Sequence, residues 1–309
     1  MAAPRLVVGP VAILADCLAE LAATEVLVVA SSPRHSSQLS LGLQRYRTFA
    51  EAKVHVPIEV VEAAERQLGE ANVVVAIGGG SPIGLGKALA LRAAERGRAL
   101  RFVAIPTTYA GSERTSIFGI THGRDKQTGR DERVRPDIVL YDVELTLGLP
   151  IPLTAQSLCN AVAHVASALS TGSVPPSAAS HARAVLDVSE TLVTSPRDRE
   201  ARTIALREAS ECAAMLDAGK PGVQHAFAHL LGGAFGIDHA ALHSILLPCF
   251  LAARPDVRDQ IAPSVDIVQL LARAGAPTTL GELGVTRAAL DEILATRPEL
   301  LGDIARAAL

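Results

Sequence analysis

Short apolar runs alternate with amphipathic stretches along the first half of the chain. The runs are rich in Val, Ile and Leu and lack the polar alternation of a half-exposed strand. Such runs predict strands covered on both faces, as in a parallel sheet flanked by helices. The predicted strands are residues 5–9, 25–32, 71–81, 101–108 and 137–142, and the predicted helices between them are residues 11–23, 61–71 and 82–97.

The pattern changes after residue 150. From residue 154 onward the apolar positions follow long helical periods with almost no strand signal, interrupted clearly at 171–177 and 217–222. We therefore predict an α/β domain over residues 1–150 and an all-helical domain over residues 151–309. A cleft between two such domains commonly holds the ligand.

Composition narrows the possible functions. The chain is 49% hydrophobic and 20% charged, which is typical of a globular protein. Its net charge of −3 and 3% aromatic content argue against a nucleic-acid partner. The four cysteines show no CxxC spacing, which indicates reduced thiols in a cytoplasmic protein rather than a disulfide framework or zinc finger.

A membrane location is not predicted. No uncharged run reaches the roughly 18 apolar residues that a spanning helix needs. The apolar N-terminal segment is interrupted by Gly9 and Pro10 and ended by Asp16, which favours a strand, a turn and a helix over a signal peptide.

A glycine-rich turn follows the third predicted strand, in AIGGGSPIGLGKALA (76–90). Glycines let the main chain approach a ligand closely, and the start of the following helix suits a phosphate group. The spacing is neither that of the Rossmann fingerprint nor that of a Walker loop, so a simple tight turn is the alternative. The next strand ends in AIPTTYAGSERT (104–115), which offers hydroxyl groups for ribose or phosphate.

Four of the nine histidines lie within residues 225–243. His225 and His229 are four positions apart, as are His239 and His243, and this spacing places each pair on one helix face. We predict a turn at residues 232–238, because its glycines disfavour a continuous helix. The spacing alone leaves open a metal site, a proton-handling site and a structural core.

Several segments then carry a resemblance to a known family. GGGSPIGLGKA, AIPTTYAGSE, KQTGRD, VLYDVELTLGLP, LCNAVAH and HAFAHLLGGAFGIDHAALHSILLP occur in this order. Together they resemble the iron-containing alcohol dehydrogenase superfamily, and most closely its maleylacetate reductase branch, from about residue 5 to about residue 285. The resemblance implies a dehydroquinate synthase-like fold, with a dinucleotide-binding α/β domain followed by a helical domain. We also expect a homodimer.

The resemblance implies a cofactor, NADH or NADPH. The residues it places against the pyrophosphate and the rest of the cofactor are Gly78, Gly79, Gly80, Ser81, Thr107, Thr108 and Ser112. Ser31, Ser32 and Arg34 follow the second predicted strand, where an acidic residue would favour NAD. Their presence is consistent with NADPH.

The resemblance also bears on the histidines. Metal-dependent relatives hold iron or zinc with one Asp and three His, and the corresponding positions here are Asn160, His164, His225 and His239. Asparagine removes the only anionic ligand, so we expect a degenerate site and catalysis without an essential metal. Retained iron or zinc is the alternative.

The implied substrate is a small acidic enone or keto acid, as in the reduction of maleylacetate to 3-oxoadipate. We expect acid catalysis by His243 first, with His239, His164 and His225 as the other candidates. The predicted substrate contacts are Asn160, His229, Arg130 and Lys126. For the basic run at 126–135 a solvated surface is the alternative.

Two positions depart from the branch: Ala226 stands where Lys is usual and Ser167 where Glu is usual. They put the substrate in doubt more than the fold. The alternative functions are a metal-dependent alcohol or carbonyl dehydrogenase of the same fold, a lyase or isomerase that reuses the pocket, and a binding protein.

Overall fold

The computed structural model describes residues 3–37, 39, 46–123, 125–296 and 308, with only the main chain at 125, 126 and 296. The chain divides into two units, Met1–Thr146 and Leu147–Leu309.

The first unit is built on a six-stranded parallel sheet with the order β1-β8-β5-β4-β2-β3. Its strands are β1 (Arg5–Val8), β2 (Val26–Val29), β3 (Tyr46–Phe49), β4 (Val73–Gly78), β5 (Arg101–Pro106) and β8 (Ile138–Tyr141). The helices of this unit are α1 (Leu14–Glu20), α2 (Pro33–Ser36), α3 (Ile58–Leu68) and α4 (Gly80–Glu95). The predicted fold class is confirmed.

Burial explains why the inner strands have continuous apolar sequences. Every residue of β2 and β4 is buried, because helices and loops cover both faces of the sheet. Strand β3 was not predicted, because it is an edge strand whose residues Tyr46, Arg47 and Thr48 are exposed. An antiparallel pair, β6 (Ile117–His122) and β7 (Asp125–Arg130), was not predicted either, because it has no apolar run of the expected kind.

The second unit is helical throughout its described residues. Its helices are α5 (Ile151–Ser170), α6 (Ala179–Thr194), α7 (Arg199–Ala218), α8 (Val223–Phe235), α9 (His239–Ala253), α10 (Pro255–Ile261), α11 (Ile267–Arg273) and α12 (Arg287–Thr296). Helix α5 lies at the centre of this unit: every residue from Thr154 to Ala168 is buried, and α5 packs against α6, α7, α8 and α9. Its small alanine side chains allow this close packing on all sides.

The predicted turn at 232–238 is only partly correct. Helix α8 continues through Gly232 and Gly233 and ends at Phe235; Gly236, which follows it, has a φ of 68°. A helical glycine costs about 1 kcal/mol relative to alanine, and the burial of Phe227 and Leu231 on the same helix outweighs that cost. Asp238 then begins α9, because its side chain accepts hydrogen bonds from the main-chain N–H groups of residues 240 and 241.

Among the described residues, no helix combines the length and the apolar character needed to cross a membrane.

Candidate active site

The glycine-rich turn joins β4 to α4 and leaves the start of that helix open. Gly78 has a φ of 138°, which residues with a side chain rarely adopt. Gly79 precedes the first residue of α4, and no side chain caps this end of the helix. A Cβ atom added at Gly80 would meet nothing within 4 Å, so the main chain is accessible there. These features fit a bound pyrophosphate.

Strand pairing brings the other predicted cofactor segments beside this turn. Gly78 of β4 pairs with Pro106 of β5, and Ala76 of β4 pairs with Val29 of β2. The carboxyl ends of three neighbouring parallel strands therefore lie at one edge of the sheet, where open α/β sheets usually bind ligands. The segments that follow these ends contain Ser31, Ser32 and Arg34, then Gly78 to Ser81, then Thr107, Thr108 and Ser112.

The hydroxyl side chains differ in how they meet this edge. Thr107 is 5% exposed, whereas Thr108 and Ser112 are partly exposed. A Cβ atom at Gly79 would lie 3.1 Å from Cγ2 of Thr108, so the two loops are packed closely together. The geometry brings these predicted residues together, and their contacts with a nucleotide stay a prediction.

Two buried ionisable residues that the sequence analysis missed hold the second loop. Lys87 of α4 donates hydrogen bonds to the carbonyl oxygens of Thr115 and Ile117, at 2.9 Å and 2.8 Å. Glu113 accepts a hydrogen bond of 2.9 Å from the Tyr141 hydroxyl, and burial raises the pKa of Glu113. In sequence Lys87 resembles an ordinary helix-surface lysine; its position in an apolar stretch, GLGKALA, was the available signal.

The histidines of the second unit converge. Helix α8 carries His225 and His229, α9 carries His239 and His243, and α5 carries His164. Ring centroids are 4.8 Å apart for His225 and His229, 4.4 Å for His229 and His239, and 4.4 Å for His239 and His243. His164 lies 5.8 Å from His225 and 6.1 Å from His243 by the same measure. We call these five residues the histidine cluster.

Exposure divides the histidine cluster. His243 has no exposed surface; its Nδ1 contacts the side-chain amide of Gln224 at 3.0 Å, and its Nε2 lies 3.0 Å from Nε2 of His239. His225 is 5% exposed, and its Nε2 lies 3.0 Å from Nε2 of His229. Only His229 and His239 are half-buried.

Burial distinguishes the sequence-based candidates. His243, the first candidate for acid catalysis, has no exposed surface, whereas His239, whose Nε2 lies 3.0 Å from that of His243, is half-buried. The catalytic roles of both residues stay predictions. His164 and Asn160, at 5% and 3% exposed, are enclosed in the same way.

Burial also sets the charge of the enclosed imidazoles. It lowers the pKa of His164 to about 3, with a smaller contribution from the nearby His225. Burial lowers the pKa of His243 well below its usual value, and His225, His164 and His229 add to the effect. Both imidazoles are therefore neutral at pH 7.

The side chains present do not reproduce the Asp–His₃ donor set. Asn160 offers a neutral amide one helical turn before His164. Among the described His, Cys, Asp and Glu side chains, one set of three has donor atoms within 4.8 Å of one another: His225, His229 and His239. His164 is outside that set, and no carboxylate belongs to it.

Two of the four cationic residues in the basic run are paired locally. Arg133 forms an ion pair with Asp131, and Arg135 with Glu132, at 2.6 Å each. Arg130 is exposed at the end of β7 in the first unit. Lys126 lies on the same strand, but its side chain is outside the described part of the chain.

One departure from the branch has a structural role. The Ser167 hydroxyl accepts a hydrogen bond of 2.6 Å from the main-chain N–H of Gly222, which ties α5 to the start of α8. Ala226 is exposed on α8.

Comparison with known proteins identifies the family of this chain. The family model for iron-containing alcohol dehydrogenase matches residues 3–143. The maleylacetate reductase of Burkholderia cepacia is 39% identical over 312 residues, which cover 93% of this chain and 87% of that protein.

Solved structures give the same result. The crystal structure of maleylacetate reductase from Agrobacterium tumefaciens has a TM-score of 0.86 at 34% identity, and the match covers 100% of this chain and 97% of that one. An iron-containing alcohol dehydrogenase from Corynebacterium glutamicum has a TM-score of 0.86 at 30% identity, with 100% and 96% covered. This chain therefore belongs to the maleylacetate reductase branch of the iron-containing alcohol dehydrogenases and is an NAD(P)-dependent oxidoreductase.

Proposed function

We propose that the chain reduces maleylacetate, or a closely related acidic enone, with NADH or NADPH and without an essential metal. The observation that carries this proposal is the histidine cluster, in which an accessible pair, His229 and His239, is backed by enclosed neutral imidazoles. The names of the similar proteins support the substrate.

The chemistry needs one group that stabilises developing negative charge. When bound, NAD(P)H would supply the hydride for one carbon of the double bond, and negative charge would develop on the oxygen of the conjugated ketone. His239 would donate a hydrogen bond to that oxygen, and water would supply the proton that the other carbon takes up, giving 3-oxoadipate and oxidised nucleotide. An imidazole suits this task because it donates and accepts protons near neutral pH.

His243 has a positioning role in this scheme. Its Nε2 lies 3.0 Å from that of His239, and the Gln224 side chain holds its other nitrogen. This pair of contacts fixes the orientation of the His243 ring, which in turn orients His239. Asn160 and His164, enclosed behind the same cluster, support it without touching the substrate.

The carboxylates of the substrate call for cationic partners. The segment KQTGRD is one of the motifs that carry the family resemblance, so we propose Arg130 for this task, with Lys126 as a second residue. Arginine matches the two oxygens of a carboxylate with two N–H groups.

Removal of metal tests the proposed chemistry. Protein treated with a chelator should oxidise NADH or NADPH in the presence of maleylacetate at an undiminished rate, because the histidine cluster contains no carboxylate to complete the family's metal site. The measurement is the loss of reduced-nucleotide absorbance, with metal analysis of the same sample.

Loss of activity on chelation would favour the second candidate, a metal-dependent alcohol dehydrogenase. The close donor set of His225, His229 and His239 supports this candidate. In that case activity would disappear with the metal, return with added iron or zinc, and extend to a simple alcohol with oxidised nucleotide. If the protein binds nucleotide but converts neither maleylacetate nor the alcohol, both candidate functions are contradicted.

We also propose a homodimer in a reducing cytoplasm. All four cysteines are unpaired thiols, which fits that compartment. Strand β1 is at an edge of the sheet, and its Leu6 and Val8 side chains are 40% and 74% exposed. An exposed apolar edge strand is a ready site for pairing with a second copy.

Light scattering should therefore give a dimer mass for the natural chain and a concentration-dependent shift toward monomer for Val8→Lys. Val54→Lys is the matched control, because Val54 is 45% exposed but lies outside the strands. A natural chain that stays monomeric at high concentration contradicts the proposal, as does a Val8→Lys variant that dimerises normally.

A further inference from the structure

The donor set that the histidine cluster offers to a metal differs from the set that the family resemblance implies. The resemblance implies Asn160, His164, His225 and His239. The geometry selects His225, His229 and His239, each of which has a ring nitrogen within 4.8 Å of one from the other two. In this geometric set, His229 replaces the two α5 residues.

The spatial arrangement supports this exchange. The His229 ring is 4.4 Å from that of His239 and 4.8 Å from that of His225, whereas His164 lies 5.8 Å from His225. His229 and His239 are half-buried, so an ion can reach them from solvent. His164 is 5% exposed.

The chemistry of three imidazoles identifies the class of ion. Neutral nitrogen ligands suit Zn²⁺, Co²⁺, Ni²⁺ and Cu²⁺, and they disfavour Mg²⁺ and Ca²⁺, which prefer oxygen. Three protein ligands leave one position of a tetrahedral ion for water or another molecule.

We propose that Zn²⁺ or a similar divalent transition-metal ion binds to His225, His229 and His239, without Asn160 and His164, and that this ion inhibits the reductase. The inhibition rests on the proposed function, in which His239 donates a hydrogen bond to the substrate. A coordinated ring nitrogen has no lone pair or proton left to exchange.

The proposed binding of the ion is tested on the full chain after chelator treatment and dialysis. Co²⁺ is added, and its visible absorption reports coordination by nitrogen ligands; calorimetry with Zn²⁺ gives the affinity. We expect one ion per chain. Loss of a group that only supports a ligand from outside the coordination sphere costs roughly 10–100-fold in affinity. Loss of a ligand should exceed this range, so we expect more than about 100-fold for His229→Gln and no more than about 100-fold for His164→Gln.

Glutamine keeps a polar side chain at each position, and circular dichroism with thermal melting shows whether both variants are folded. If His164→Gln abolishes the Co²⁺ signal while His229→Gln keeps it, the proposed donor set is wrong. Absence of saturable binding to the natural chain also overturns it. Should either variant fail to fold, the coordination spectrum of the natural chain decides between three nitrogen donors and a set that includes the Asn160 oxygen.

The proposed inhibition is tested by measuring the rate of maleylacetate turnover. Zn²⁺ added to chelator-treated protein should lower the rate, and renewed chelation should restore it. A rate that rises with Zn²⁺ overturns inhibition. Failure to turn over maleylacetate without metal overturns the proposed function and the inhibition together, but the Co²⁺ titration still tests the binding site, so the two failures are distinguishable.

Discussion

Replacement of Gly79 by valine should abolish nucleotide binding and leave the protein folded. Gly79 stands between β4 and α4, where a Cβ atom would already lie 3.1 Å from Cγ2 and 3.3 Å from Oγ1 of Thr108. A branched side chain would push Thr108 away and cover the open start of the helix, where we expect the pyrophosphate. We expect affinity for NADH and NADPH to fall by at least about 100-fold, or about 2.8 kcal/mol.

Calorimetric titration measures this loss, and far-ultraviolet circular dichroism reports the fold. Gly233→Val is the matched control, because Gly233 is exposed on α8 and a Cβ atom there meets nothing within 4 Å. Gly80→Ala is a gentler probe, since only a ligand would meet its methyl group. A folded Gly79→Val protein that binds nucleotide normally would disprove the role of the turn.

His239→Ala should lower kcat with maleylacetate by roughly 10²–10⁴-fold, the range for loss of a general acid. His239 is half-buried, and its Nε2 lies 3.0 Å from that of the enclosed His243. Nucleotide affinity should not change, because the glycine turn lies in the other unit of the chain. Single-turnover kinetics and a nucleotide titration separate the two effects.

His122→Ala, which removes an exposed histidine of β6, should keep full activity and serves as the control. His243→Ala should also lower kcat, but it leaves the Gln224 amide without its partner in a buried position, at a cost of about 1–3 kcal/mol in stability. A folded His239→Ala enzyme with normal kcat would rule out the proposed acid, and the same result for His243→Ala would remove its positioning role.

Local pattern was sufficient for most of the fold. Continuous apolar runs predicted five of the six strands of the main sheet, because strands covered on both faces must be apolar at every position. The missing strand, β3, is exposed at the edge, so its polar residues carry no such signal. The turn predicted at Gly232 and Gly233 is wrong for these two residues, which are helical. The free-energy cost of glycine in a helix is smaller than the gain from burying the apolar side chains of α8.

The residues of the candidate site could be predicted from the sequence, but their positions relative to one another could not. Ordered motifs selected the glycine turn, the hydroxyl loop and the histidines, and helix periodicity paired His225 with His229 and His239 with His243. The burial of Lys87 and Glu113 was not predicted, because the sequence does not distinguish a buried lysine or glutamate from an exposed one. Their hydrogen-bond partners are known only from the structure.

By itself, the sequence determined the fold class, the family and the replacement of a carboxylate by Asn160, because these depend on residue type and order along the chain. Only the tertiary structure decided that His243 is enclosed and that His239 is half-buried. It also decided that the His229 ring lies 4.4 Å from that of His239, so that His229 belongs to the close donor set. The reason is physical: helical periodicity specifies which side chains share a face, whereas exposure and distance between α5, α8 and α9 depend on how the three helices pack.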